Sequence, residues 1–258
     1  MKLYSKLSAL GVVLVLSTAF ASADTVNINS SANSGSGGTV YLGQVLGTTP
    51  LNTTPVTPSG SPSITQGSNN TPVGNPGFTF VVDPDTVWSS AIGTSKWVSY
   101  DPHSGPTGGE NGGSVPFDAN GFYYYEQAVT TDGGTWSGSV TVQADDTVAV
   151  YLNSVSAGNL LLNYGNIGGD SHCADNPPAC VMAPATFNLG SSDSGFNNDG
   201  TNELIFVVAQ TGSIYQGVDF SGSISNPVPT PEPNTLFLLG TGLLGSAGAL
   251  LRKMRAKA

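Results

Sequence analysis

Apolar and polar residues alternate along this chain in short runs and almost never recur at helical spacing before residue 235. The clearest run is Thr147-Val148-Ala149-Val150-Tyr151-Leu152-Asn153. With a side-chain period of two, Val148, Val150 and Leu152 face one way and Ala149, Tyr151 and Asn153 the other. Asp145-Asp146 before the run and Asn153-Ser154 after it supply its turns. Similar patterning predicts strands at 78–82, 96–100, 122–130, 134–142, 159–164, 186–189, 202–208 and 218–224. The gaps between these runs are rich in Gly, Pro, Asn and Asp, the turn formers. Nine strands at this spacing predict an all-β domain over 78–225, two antiparallel sheets packed as a sandwich. Val148, Val150 and Leu152 are expected in its core with Leu204, Phe206 and Val208, while the Tyr151 face is wet or dry according to what covers it.

Residues 24–77 carry a weaker signal. Short alternating runs at 25–29 and 39–46 read as strands, but between Gly47 and Gly77 26 of 31 residues are Gly, Ser, Thr, Pro or Asn. Such a stretch buries too little apolar surface to fold independently, so 24–77 is expected to be a lead-in draped on the domain.

Both ends differ from this body. At the start, Lys2 and Lys6 precede an apolar core at 7–16 and the small residues Ala21-Ser22-Ala23, the layout of a cleavable secretory signal peptide over 1–23. At the other end a linker at 226–234 contains Pro231-Glu232-Pro233, an uncharged apolar run fills 235–251, and Arg252, Lys253, Arg255 and Lys257 crowd a basic tail at 252–258. Seventeen residues at helical rise span roughly 25 Å, the short end of what crosses a bilayer, and the basic tail stays cytoplasmic by the positive-inside rule. Between residues 24 and 232 one lysine, Lys96, stands against all 17 acids of the chain, a formal charge of −16. Such a body repels nucleic acid and stays soluble outside the cell.

The order of Pro-Glu-Pro, greasy helix and basic tail resembles the PEP-CTERM sorting signal of bacterial surface proteins, with Asn234 where the family usually has Ser. The resemblance implies export across the inner membrane as an anchored precursor, then processing by an exosortase and delivery to the cell surface or exopolysaccharide matrix. Gly240-Thr241-Gly242-Leu243-Leu244-Gly245 fits the glycine spacing of a dinucleotide site, but the preceding strand and later acid of that fingerprint are missing. Inside the body, the Asp-rich turn before 147–153 and Gly200-Thr201-Asn202 before the apolar strand 204–208 resemble the sugar-binding-like jelly roll attached to many glycosidases and surface proteins. That resemblance implies a jelly-roll sandwich and transfers no ligand site.

The chemistry visible in the residues is sparse. Cys173 and Cys180 are the only cysteines, and export makes a disulfide between them the leading expectation. Its rival, a metal site of His172 with both thiolates, has only His103 left to complete it among the histidines. No GxSxG, HExxH or P-loop occurs. Asp145 and Asp146 are adjacent and point to opposite faces of an extended strand, which suits turn-making better than shared catalysis; calcium is the one cofactor they could take. Tyr123, Tyr125, Trp97 and Trp136 are the candidate platform for stacking on sugar rings. The first reading is a secreted, non-catalytic protein of the cell surface or exopolysaccharide matrix. The alternatives are a lectin-like module using those aromatics with calcium, and, last, a glycoside hydrolase.

Overall fold

The computed structural model describes residues 23–34, 37–46, 77–106, 118, 120–165, 172–173, 184–211, 215–227 and 233–256. Its strands are β1 (Asp24–Asn29), β2 (Val40–Leu46), β3 (Phe80–Val81), β4 (Val98–Ser99), β5 (Gly121–Asp132), β6 (Ser137–Asp145), β7 (Thr147–Leu152), β8 (Leu160–Leu162), β9 (Ala185–Gly190), β10 (Asp199–Gln210) and β11 (Gly217–Asn226), and one helix follows, α1 (Pro233–Arg255). Every predicted strand is present. Thr25–Asn226 form one compact unit, and α1 belongs to another.

The unit is an antiparallel β-sandwich of the jelly-roll type. One sheet runs β3-β4-β11-β6-β9, with β1 also paired to β11; the other runs β2-β5-β10-β7-β8. Between them lies the main core, to which Val148, Val150 and Leu152 contribute from β7, Leu204, Phe206 and Val208 from β10, and Phe220 from β11. The alternation in 147–153 therefore predicted the inward set in the right register. The opposite set is not wet. Ala149 and Tyr151 join Phe122, Tyr124, Ile205 and Val207 in a second apolar cluster on the outer face of the same sheet. A sheet covered on both faces needs apolar residues at consecutive positions, and Leu204-Ile205-Phe206-Val207-Val208-Ala209 is such a run.

Strands β1 and β2 of the lead-in belong to the two sheets, so the sandwich begins ahead of the boundary expected at 78. Polar side chains seat the lead-in. Thr79 Oγ1 donates to the Thr39 carbonyl at 2.6 Å, Asn33 Nδ2 donates to the Gly77 carbonyl at 3.0 Å, and Ser30 Oγ lies 2.7 Å from the Lys96 carbonyl. Because Ser, Thr and Asn reach backbone groups through short side chains, a polar segment can be built into a sheet margin with little apolar burial.

Two turns show how sequence signals become geometry. Asn153 ends β7 in the left-handed region at φ 61°, which Asn tolerates better than most residues. Its Nδ2 then donates to the Gly195 carbonyl (2.8 Å) and its Oδ1 accepts the Glu203 N–H (2.7 Å). Near the start of β10, Asn202 is fully buried and closes the loop from Asn197 by bonding both of its backbone groups, accepting from its N–H and donating to its carbonyl. Gly200 sits inside that loop at φ 153°, where a Cβ would come within 2.4 Å of Asn197 Nδ2.

Helix α1 forms where the apolar run predicted one, with Pro233 as its first residue and Arg252, Lys253 and Arg255 in its last turn. Among the described residues no helix is long and apolar enough to cross a membrane. The span expected over 235–251 includes residues 235–239 and 251, whose side chains lie outside the described residues.

Candidate functional site

The tail is the first candidate. Leu244 and Leu250 are exposed on α1 at 76 % and 60 %, and Arg252, Lys253 and Arg255 are exposed beyond them. Pro231 and Glu232 of the motif lie outside the described residues, as do residues 1–22 of the expected signal peptide and Cys180.

The aromatic platform is a correction. Tyr123 and Tyr125 are 0 % exposed, Trp97 1 % and Trp136 2 %. Their polar tips are satisfied internally. Trp97 Nε1 donates to the Ser89 carbonyl at 2.9 Å, Trp136 Nε1 to the Gly133 carbonyl at 2.7 Å, and Tyr125 Oη to Gln216 Oε1 at 2.7 Å. Tyr123 and Tyr125 lie in the main core and Phe122 and Tyr124 in the second cluster, so both faces of the Phe-Tyr-Tyr-Tyr run on β5 are covered. Alternation separated the two tyrosine faces correctly but could not show that both were covered.

Asp145 and Asp146, at the connection from β6 to β7, are also tied to distant parts of the fold. Asp145 Oδ2 accepts the Trp88 indole N–H at 2.8 Å, fixing the ring that packs on Trp97 at a centroid distance of 4.5 Å. Asp146 Oδ2 accepts both the backbone N–H and the hydroxyl of Thr211, 65 residues away. Among the described residues no group of three His, Cys, Asp or Glu side chains converges as a metal site. His172, offered above as a metal ligand, places Nε2 2.8 Å from the Asn163 carbonyl, an arrangement in which that nitrogen carries the proton. Its neighbour Cys173 is buried and disulfide-bonded.

What the residues alone did not disclose is a buried polar cluster at one end of the tyrosines. The ring of Tyr100 stacks on Tyr41 and on Tyr123, each at 5.2 Å, and Tyr41 packs on Tyr125 at 5.5 Å. Against them sits Asp118, 1 % exposed, just ahead of β5. Its Oδ1 accepts hydrogen bonds from the Tyr100 hydroxyl and, at 3.3 Å, from Ser104 Oγ. Its Oδ2 has no hydrogen-bond partner. Burial pushes the Asp118 carboxyl up to about 7; the two donated hydrogen bonds pull it back, and the carboxylate of Asp101 pushes it further up. Burial also drives the hydroxyls of Tyr41, Tyr100, Tyr123 and Tyr125 far above the ordinary tyrosine range. The sequence signal was faint: one acid between a glycine-rich stretch and an aromatic strand reads as an ordinary turn residue.

Residues 229–253 match the PEP-CTERM protein-sorting motif. No curated protein matches the chain. Among solved structures, the chain is similar to a family 35 carbohydrate-binding module from Clostridium thermocellum at 12 % identity and a TM-score of 0.30, over 56 % of this chain and 86 % of that one. It is also similar to a CBM36-1 domain of a multidomain xylanase from the hindgut metagenome of Trinervitermes trinervoides (12 %, TM-score 0.23, 59 % and 99 %). A third likeness is to a CBM35 from Cellvibrio japonicus Abf62 (8 %, TM-score 0.24, 58 % and 94 %).

Proposed function

We propose that this chain is an exported, non-catalytic structural protein of the cell surface or exopolysaccharide matrix, delivered there by exosortase-type processing of its C-terminal tail. The match of the sorting motif to residues 229–253, with the basic residues exposed at the end of α1, carries the reading. The sandwich supports it in two ways. Its sequence holds one basic side chain against a large excess of acids, which keeps it soluble and apart from anionic partners such as nucleic acid. Its buried carboxylates at Asp145 and Asp219 are engaged in hydrogen bonds that hold loops to strands, a structural use of these acids.

Processing is tested on the native exported protein by intact mass. The expected species begins after residue 23 and ends near Pro231-Glu232-Pro233. Recovery of a chain still ending at Ala258 would overturn the processing step and leave an unprocessed tail. The cysteines provide a separate expectation for an exported chain: Cys173 bridges Cys180, closing an eight-residue loop that stabilises the fold by about 2.5 kcal/mol on the chain-entropy account. Thiol labelling of the unfolded, unreduced protein should find no free sulfhydryl, whereas two reactive thiols would refute the bridge.

A further inference from the structure

Asp118 is a carboxyl group buried without the partners that an ion needs. One oxygen takes two hydroxyl hydrogen bonds and the other takes none. The groups that act on it or respond to its charge are Tyr100 and Asp101 just after β4, Ser104 in the loop that follows, Tyr123 and Tyr125 on β5, and Tyr41 on β2; His103 faces Asp101. None of the tyrosines brings positive charge. His103 is spent on Asp101, whose Oδ1 lies 2.9 Å from both the His103 N–H and Nδ1. Lys96, the one lysine or arginine between residues 24 and 232, is not among the groups that act on the carboxyl.

The carboxyl also joins two parts of the fold. Tyr100 and Ser104 belong to the arm that leaves β4, while Asp118 leads into β5 of the other sheet. The arm is further held by Gln216, whose N–H donates to the Ser104 carbonyl at 3.1 Å and whose Oε1 accepts from Ser99 Oγ and Tyr125 Oη at 2.7 Å each. The Gln216 Nε2 is buried and has no partner, so this end of the sandwich carries two unsatisfied polar groups in one cluster. Each such group lowers the cost of opening the cluster to water, which would hydrate both.

We propose that Asp118 is a proton-controlled latch, holding the 100–106 arm on the β2–β5 strand pair when it is neutral and releasing the arm when it ionises. An exported sandwich meets external pH directly, so the latch would make this end of the molecule tighter in acid than at neutral pH. The sign follows from linkage. The folded carboxyl titrates above its unfolded value, so the closed form binds the proton more tightly than the open one. The stabilisation is complete below about pH 4, is lost as pH rises, and is gone above about pH 7. The opening constant therefore rises about tenfold per pH unit across that window and is level beyond it.

The experiment is amide hydrogen exchange of the Ser104 and Gln216 N–H groups from pH 4 to pH 8.5, corrected for intrinsic rates, in the folded exported chain. Expected are protection factors that fall about tenfold per unit and level off near pH 7, with both amides moving together. Asp118→Asn should abolish the slope. Tyr100→Phe removes a hydrogen bond to the ionised form, so it should keep the slope and move the level region to higher pH. His103→Asn should keep the wild-type curve. A flat wild-type profile, or a slope that survives Asp118→Asn, would overturn the proposal. If Asp118→Asn fails to fold, the shift in Tyr100→Phe and a carboxyl-carbon titration of Asp118 decide; a midpoint near 4 in that titration overturns it too.

Discussion

Asp219→Ala is expected to cost the sandwich about 4 kcal/mol, read as a fall in the urea midpoint of tryptophan fluorescence at an unchanged slope. Asp219 lies on β11, 0 % exposed, and accepts four hydrogen bonds from three directions. Oδ1 takes Ser30 Oγ (3.0 Å) and Ser95 Oγ (2.5 Å), and Oδ2 takes the Ile92 N–H (2.7 Å) and Gln143 Nε2 (2.9 Å). It thus pins the end of β1, the loop before β4 and strand β6 to a single point. Alanine leaves the Ile92 N–H and one Gln143 N–H without their acceptor in a dry site, and each orphaned donor costs about 1–3 kcal/mol. The two serines suffer less, because Ser30 Oγ also reaches the Lys96 carbonyl and Ser95 Oγ the Ile92 carbonyl.

That difference makes Asp219→Asn the informative partner variant. An asparagine oxygen placed at Oδ2 still accepts from Ile92 and Gln143. Its NH2, placed at Oδ1, faces two hydroxyl oxygens that can accept while donating to their own carbonyls. The amide should therefore recover most of the loss, leaving a cost of about 1–2 kcal/mol. Equal costs for Ala and Asn would show that charge, rather than the hydrogen-bond pattern, holds this junction.

The legible and illegible parts of this molecule divide along that same line between pattern and partner. Strand positions follow from period-two alternation, so 147–153 was read in its correct register, and the turn at Asn153 was read from its residue type. The second cluster was half legible: 204–209 is apolar at every position, which already implies cover on both faces, yet Tyr151 opposite it was left undecided. What alternation cannot carry is the identity of a cover or of a distant partner. Tyr123, Tyr125, Trp97 and Trp136 have the same residue types whether they stack on a ligand or on each other. Only the packing of the two sheets shows that the two tyrosines are buried. In the lead-in the strands at 25–29 and 39–46 were legible, and Ile28 and Tyr41 lie in the main core; what was missed is how Ser30, Asn33 and Thr79 fasten the segment to the sheets by hydrogen bonds that leave no apolar signature. Asp118, Asp146 and Asp219 are likewise ordinary acids in sequence, and acquire roles from residues 14 to 189 positions away.

Phe206→Ala should cost about 4 kcal/mol in the same unfolding measurement, because it removes the ring that joins the two sheets. Phe206 is on β10, flanked by β5 and β7, and Phe220 is on β11, flanked by β6 and β4. Both are 0 % exposed, and their rings stack across the sandwich at 4.0 Å between centroids and 9° between planes. Central strands with neighbours on both sides leave little freedom to collapse into the space, so the cavity should persist and the cost should lie toward the upper end for such truncations. Phe206→Leu refills most of the volume and should cost about 1–1.5 kcal/mol. The stacking itself is isolated by combining Phe206→Leu with Phe220→Leu: the paired change should fall short of the sum of the single changes by about 0.5–1.5 kcal/mol. Strict additivity would mean that the rings contribute through buried area alone. A cost below about 1 kcal/mol for Phe206→Ala would place this pair outside the packed core and refute the sandwich arrangement on which the Asp118 latch, reaching from one sheet to the other, also depends.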